Sequence, residues 1–170
     1  RSVSRGLGDV YKRQLYIRPF VIGNEYAIQA VPSKNYKFMI ICAPATLYYT
    51  KKLKVLVADK FSRAASGGVG YAKAAGNYAG QFYPTKLAND EGFDQVIWTD
   101  ANEHNYLEEA GTMNIFFRIN DTLITAPTTD TILDGVTRKS LIQIAKDNGI
   151  DVEIKKLKVD ELKNAAKNGS

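Results

Sequence analysis

The 170-residue sequence contains one cysteine, Cys42, and one histidine, His104. A single thiol excludes an internal disulfide and any multi-cysteine metal site. Without cysteine or histidine partners His104 is not a convincing ligand, so no metal site is expected. No run of about 18 uncharged apolar residues occurs, and no membrane-spanning segment is expected. Neither Gly-x-Ser-x-Gly nor Gly-x-x-x-x-Gly-Lys-Ser/Thr is present, which removes the hydrolase and P-loop readings. Gly68-Val-Gly70 falls short of a dinucleotide fingerprint. There is no internal repeat and no low-complexity tract. What is present is ordinary for a folded chain: 45% hydrophobic and 24% charged residues argue against disorder. Nothing marks secretion, so a reducing cytoplasm is the default location.

The formal charge of +5 is misleading. Ser4 to Gln14 resemble a translated sequencing adapter; the last six, Asp9 to Gln14, match GAT-GTG-TAT-AAG-AGA-CAG, the inner end of a common transposase adapter, so residues 1–14 are left out of the fold reading. This stretch has no apolar period and no signal-peptide core, so it is set aside as a non-native or disordered tail. It holds four of the 23 basic and one of the 18 acidic residues, leaving 19 against 17, a net of +2. Nucleic-acid binding, which needs a concentrated basic face, is therefore not expected. A basic binding module built on residues 1–14 and Lys155 to Lys167 is the alternative from another class. The lysines of the second stretch alternate with acids as on a solvated helix face, which weighs against it.

Leu15 to Ile22 is β-rich and ends in a Gly23-Asn24 turn signal. Tyr26 to Val31 and Lys37 to Cys42 read as further strands. Phe38-Met-Ile-Ile41 is a continuous apolar run, as in a strand buried on both faces, and Pro44 ends it. Residues 46–54 have little amphipathic period and read as a linker between a domain ending at 45 and one starting at 55. Val55 to Val57 is a short strand. Ala74 to Asn89 carries a helical period, with a kink or break expected at Pro84 and a stop at Gly92. Gln95 to Thr99 reads as a strand and Asn114 to Thr125 as a hairpin turning at Asn120-Asp121. Thr137 to Asp147 is an amphipathic helix closed by Gly149. Val152 to Ile154 alternates like a strand, and Asp160 caps a last helix. This is an α+β order without strict β-α-β alternation.

Lys73 is the most informative residue. It lies in Gly67-Gly-Val-Gly-Tyr-Ala-Lys73-Ala-Ala-Gly-Asn-Tyr-Ala-Gly80 and is the only charged side chain between Arg63 and Lys86. Its small neighbours allow another body to approach the backbone. In dry surroundings an ammonium is disfavoured, and a neutral amine is what a carbonyl-trapping nucleophile needs. On local composition alone, a helix-edge lysine reaching water is the plainer reading. Tyr78 follows five residues later and, from a strand-to-helix turn, shares a pocket with Lys73; alone it reads as a core tyrosine. Glu108 and Glu109 run into the apolar Ile115-Phe-Phe117. Adjacent carboxylates often share a solvated turn, but one near the core boundary needs a cation or a hydrogen-bond donor. Asp134-Gly-Val-Thr137-Arg138 opens a helix, where the glycine, the exposed N–H groups and the Thr137 hydroxyl make an anion site, although many helices simply begin with threonine. Arg18 in Tyr16-Ile-Arg-Pro19 suits a carboxylate, or a surface ion pair.

Taken in order, Tyr-Ile-Arg-Pro, Gly-Gly-Val-Gly-Tyr-Ala-Lys-Ala-Ala-Gly-Asn-Tyr, Glu-Ala-Gly-Thr-Met-Asn and Leu-Asp-Gly-Val-Thr-Arg resemble the branched-chain amino acid aminotransferase family over residues 15–170. That family belongs to the fold-type IV enzymes that use pyridoxal 5′-phosphate (PLP). The resemblance implies that residues 15–45 end a small α/β domain. Residues 55–170 then form most of a large, β-barrel-like domain with helices. It also implies site roles. Lys73 matches the lysine that holds PLP covalently and carries out catalysis. Tyr78 matches the tyrosine on the cofactor's phenolic oxygen, and Glu109, not Glu108, the acid at its pyridine nitrogen. Val136 and Thr137 match the helix start that binds the phosphate. Gly111, Thr112 and Met113 match the turn that meets the substrate carboxylate. Tyr16 and Arg18 match substrate-side residues, with Arg18 reading the distal carboxylate of glutamate.

The implied activity is transamination between Leu, Ile or Val and 2-oxoglutarate, giving branched 2-oxo acids and glutamate, in a cytoplasmic homodimer. D-Amino-acid aminotransferase and aminodeoxychorismate lyase, of the same fold, are the alternatives; the Tyr-Ile-Arg-Pro and Glu-Ala-Gly-Thr-Met-Asn segments favour the branched-chain family. The family's phosphate-binding arginine precedes the position of Leu15, and its Gly-Thr-Ala phosphate loop follows that of Ser170. Residues 1–170 therefore read as an internal fragment, which made alone is expected to bind PLP poorly and show little activity.

Overall fold

The structure, a computed structural model, describes residues 14–45 and 49–170. The chain divides into two units, residues 1–52 and 53–170. Most of the stretch set aside as a tail, residues 1–13, lies outside the described residues; its last member, Gln14, heads the first strand.

In the first unit β1 (Gln14–Gly23) pairs antiparallel with β2 (Tyr36–Ala45), from Gln14 opposite Ala45 to Gly23 opposite Tyr36. Three sequence expectations are corrected here. Tyr26 to Val31 is not a strand; it lies in the 24–35 connection, with the Tyr26 and Ile28 side chains fully exposed. Strand-like composition alone makes no strand where no neighbour supplies the ladder. Pro44 does not end β2 but sits within it, opposite Leu15. A two-stranded ribbon tolerates it because each strand has an unpaired edge. Phe38, Ile40 and Ile41 are exposed, not buried on two faces; within this unit the ribbon has two strands and no second layer of its own among the described residues.

The second unit is mixed α and β. Its larger sheet runs β10 (Leu157–Lys158), β5 (Tyr106–Ala110), β4 (Gln95–Thr99), β3 (Val55–Val57), with β6 (Met113–Asn114) also on β5. Only β3 and β4 are parallel. The smaller sheet has the order β7 (Phe117–Ile119), β8 (Thr122–Thr125), β9 (Asp151–Ile154). The expected hairpin is β7–β8, turning at Asn120, whose φ of 53° suits asparagine. Its forward extension to Asn114 instead forms β6.

Four helices complete the unit: α1 (Ala75–Ala79), α2 (Phe82–Asp90), α3 (Val136–Asp147) and α4 (Val159–Asn168). The break expected near Pro84 falls at Gly80-Gln81, and Pro84 sits in the first turn of α2, where a missing N–H costs no helix bond. Gly92 and Gly149, at φ 83° and 70°, follow the ends of α2 and α3. Lys158, not Asp160, is the N-cap of α4; Asp160 lies in its first turn, and Glu161 Oε2 accepts the Lys158 N–H at 2.9 Å. A backbone-directed Glu at N3 and an acid in the first turn stabilise this end as well as a side-chain cap would.

The strand period of β4 divides the core. Val96 and Trp98 pack with Ala58 and Ala88 of α2 on one face. Ile97 packs with Leu107, Ile124 and Leu157 on the other, so both sheets share one apolar interior. Trp98 is fully buried and donates its indole N–H to Gly111 O at 2.9 Å. Among the described residues no helix is long and apolar enough to cross a membrane.

Candidate active site

Strand β5 carries the two carboxylates in mid-strand, where two adjacent charges hid the strand period. Opposite β4 the register runs Trp98 to Glu109 and then Thr99 to Leu107, skipping Glu108. Glu108 is thus the extra residue of a β-bulge, a device that re-aims side chains. As a result both carboxylates reach one segment. Glu108 Oε1 accepts from the Thr131 hydroxyl at 2.8 Å, and Glu109 Oε1 from the Leu133 N–H at 3.1 Å. Their settings differ. Glu108 is half-buried beside a cavity of about 210 Å³ shared with Asp100, Asp130 and Lys156. Glu109 is 2% exposed.

Glu109 is held by two hydrogen-bond donors and one cation. Asn114 Nδ2 reaches Oε1 at 2.9 Å beside the Leu133 N–H, and Arg63 Nε lies 2.6 Å from Oε2. Burial pushes the Glu109 carboxyl above the usual carboxylate range. The Arg63 charge pulls it back, the Leu133 N–H and the Lys73 charge act the same way, and Glu108 pushes it up. Burial likewise raises Glu108.

Lys73 follows a glycine-rich loop tied to the same segment. Gly67 N–H donates to Asp130 Oδ2, Tyr71 N–H to Asp130 O at 3.0 Å, and Asn77 Nδ2 to Val69 O and Ala72 O at 2.8 and 2.9 Å. Gly70 shows why a side chain is excluded. A Cβ there would lie 2.6 Å from Ala64 Cβ and 2.8 Å from Asp130 O and Thr131 Cα. Gly70→Ala is expected to destabilise the fold by about 1–3 kcal/mol, the usual overpacking cost; denaturant unfolding of the variant checks it.

The Lys73 amine lies 4.8 Å from the centre of the Tyr78 ring, at the far end of the turn into α1. The lysine itself is exposed, in line with the plainer reading of its local composition. The flanking glycines and alanines that allow close approach to the backbone have too little side chain to bury a lysine. Tyr78 also lines a cavity of about 360 Å³ with Gln81, Gln95, Gly111 and Thr112. Gly111 and Thr112 form the β5–β6 turn and Met113 begins β6. Gly111 has a φ of 54°, and a Cβ there would strike the Gln95 side chain at 2.5 Å.

Helix α3 begins at Gly135 with no side-chain cap, leaving the Val136 and Thr137 end of the helix open. Both residues are exposed. The helix start is fastened to the acid: Asn114 Nδ2 bonds both Glu109 Oε1 and Leu133 O, and its Oδ1 occupies the space a Cβ on Gly135 would fill. Arg138, buried in the first turn, anchors the helix by donating to Ala126 O at 2.7 Å. The second unit thus brings together Lys73, Tyr78, Glu109, the 111–113 turn and the start of α3. Tyr16 and Arg18 lie on β1 of the first unit, where Arg18 Nη2 bonds Tyr16 Oη at 3.2 Å and the guanidinium stacks 5.3 Å above that ring. Sequence reasoning overlooked Arg63, Asn114 and the Leu133 N–H. A signal existed for the first, since a buried acid demands a cation and Arg63 is the nearest basic residue before Lys73.

A family model for amino-transferase class IV matches residues 1–167, and the chain belongs to that family. The match includes residues 1–14. A probable branched-chain-amino-acid aminotransferase of Staphylococcus epidermidis is 45% identical over 161 residues, covering 92% of this chain and 45% of that protein. The crystal structure of a branched-chain aminotransferase from Thermoproteus uzoniensis with norvaline has a TM-score of 0.79 and 28% identity, over 87% of this chain and 50% of the other. A T.th. branched-chain amino acid aminotransferase with pyridoxamine 5′-phosphate has a TM-score of 0.76 and 26% identity, over 87% and 50%. The chain spans about half the length of these relatives.

Proposed function

We propose that the protein is a PLP-dependent aminotransferase that exchanges the amino group between leucine, isoleucine or valine and 2-oxoglutarate, as a cytoplasmic homodimer. On this reading residues 15–45 end its small domain and 55–170 form most of the large one. One observation carries it: a buried carboxylate with two hydrogen-bond donors on one oxygen and the Arg63 cation at the other, close enough to Lys73 to feel its charge, beside an uncapped helix start. The names of the three similar proteins support the substrate class and, for the last, the cofactor class.

The donor set fits PLP. The Lys73 amine can bond its aldehyde carbon, the Tyr78 hydroxyl its phenolic oxygen, Glu109 its ring nitrogen and the Val136 and Thr137 N–H groups its phosphate. When bound, the ring serves as an electron sink for the substrate Cα. The chain's own residues do the rest. Glu109 keeps a negative charge facing the ring nitrogen. With its amine free, Lys73 would take the substrate Cα proton as a general base and, as the conjugate acid, deliver it to the cofactor carbon that the amine had held. The 111–113 turn receives the substrate carboxylate, and the cycle runs in reverse on the second 2-oxo acid, with ping-pong kinetics.

Arg18, preset by its contacts with Tyr16, is assigned to the distal carboxylate of 2-oxoglutarate and glutamate. Arg18→Met is expected to raise KM for 2-oxoglutarate about 10- to 100-fold, the worth of a hydrogen bond to a charged group, and that for leucine far less. Steady-state kinetics on both substrates read the split. The function itself is tested by a substrate panel on the protein expressed from its full reading frame and supplied with PLP. Glutamate forming from 2-oxoglutarate with L-leucine, L-isoleucine or L-valine supports it. Turnover of D-alanine alone, or of aminodeoxychorismate alone, overturns it.

A further inference from the structure

The Arg63 guanidinium touches three segments at once. Its Nε lies 2.6 Å from Glu109 Oε2, with both side chains 2% exposed. Its Nη1 donates to Thr131 O at 2.6 Å, and both Nη atoms lie 3.2 Å from Gly70 O. Gly70 belongs to the loop that delivers Lys73, and Thr131 to the segment that leads to α3. A planar fork of five donors can satisfy a carboxylate and two carbonyls in fixed directions; a lysine ammonium cannot span them. The contact with Glu109 is an ion pair whose Nε–H is not aligned on the oxygen. Among the described residues Oε2 receives no aligned hydrogen bond, whereas Oε1 receives two. A carboxylate offers about four acceptor positions, so Oε2 stays open to a further donor.

We propose that Arg63 is a positioning residue for the reaction: it holds Glu109 charged and turned so that Oε2 can accept from a protonated ring nitrogen, and it fixes that carboxylate relative to the loop carrying Lys73. The proposal rests on the PLP reading of the site. Arg63 itself needs no contact with cofactor or substrate. It opposes burial, which drives Glu109 toward the neutral acid. A neutral Glu109 would leave the ring nitrogen without a counter-charge. The other charged groups that bear on Glu109 are Glu108 on the same strand and Lys73 across the site.

The test uses Arg63→Met, Arg63→Lys, Glu109→Gln and the Arg63→Met/Glu109→Gln double variant in protein expressed from its full reading frame. Thermal unfolding without PLP is followed from about pH 5 to 8. A carboxyl whose folded-state value is raised binds its proton more tightly folded than unfolded, so its ionisation takes stability away as pH rises. Removing Arg63 raises it further. Arg63→Met is therefore expected to lose progressively more stability than the parent toward pH 8, and the double variant to lose that extra slope. With PLP bound, kcat is expected to fall about 10- to 100-fold, the scale seen when a group that orients a ligating side chain is removed. KM for leucine should change little, and Arg63→Lys should recover only part of kcat. A stability loss equal at every pH, unrelieved by Glu109→Gln, overturns the proposal. So does a lysine variant with parental kcat. Failure of the parent to take up PLP would instead sink the functional reading, while the pH slopes would still decide whether Arg63 governs the charge of Glu109.

Discussion

Lys73→Ala is expected to lower transamination by at least about 10²–10⁴-fold, the worth of a positioned general acid–base group alone. The loss is larger if covalent capture of the cofactor fails as well. The fold should scarcely notice. Lys73 is exposed and its amine sits over the Tyr78 ring, so unfolding free energy should stay within about 0.5–1 kcal/mol of the parent. Lys73→Arg sharpens the test. It keeps a cation that can sit over the ring, but a guanidinium does not give up its proton in a protein. It should be as inactive as the alanine variant. An arginine variant with near-parental turnover would mean that the residue supplies charge and not a neutral amine. Coupled assays of glutamate formation, with thermal unfolding alongside, separate the two effects.

Glu109→Leu is expected to act on both stability and activity. It strands Arg63 as a buried charge, and breaking such a pair from one side costs about 3–5 kcal/mol. The Leu133 N–H and Asn114 Nδ2 also lose their shared acceptor. Adding Arg63→Met should recover much of the stability, because replacing both ends of a buried pair with apolar groups is often neutral or stabilising. It should not recover activity, since no counter-charge remains for the ring nitrogen. Glu108→Gln provides the contrast. Glu108 is half-buried and bonded to Thr131, so its loss should be felt as a modest change in stability with catalysis retained. Urea unfolding of the three variants gives the ordering. Equal effects at 108 and 109 would contradict the assignment of distinct roles to adjacent carboxylates.

The site was legible in the sequence to the extent that short motifs impose local geometry. A lysine among glycines and alanines, followed by Asn77 and Tyr78, marks a loop entering a helix, and Gly135-Val-Thr137 marks a helix start. The elements with strong periods were also legible: β4, the β7–β8 hairpin and α3 fall where their residues indicate. What stayed hidden depends on distant partners. β5 was missed because its bulge sets two charges side by side in mid-strand, and the donors that make one of them buriable come from residues 63, 114 and 133. Tyr26 to Val31 misled in the opposite direction, looking like a strand with no neighbouring strand to bond. Exposure of Lys73 agrees with the plainer reading of its neighbours: the small residues that open the loop to close approach also leave the amine uncovered.

Borohydride reduction of the PLP-treated protein, expressed from its full reading frame, followed by proteolysis and mass mapping, tests the site most directly. One pyridoxyl group per chain, on the peptide containing Lys73 and absent from Lys73→Ala, is the expected result. Label scattered over surface lysines at substoichiometric levels, or a single stoichiometric label on any other lysine, would contradict it.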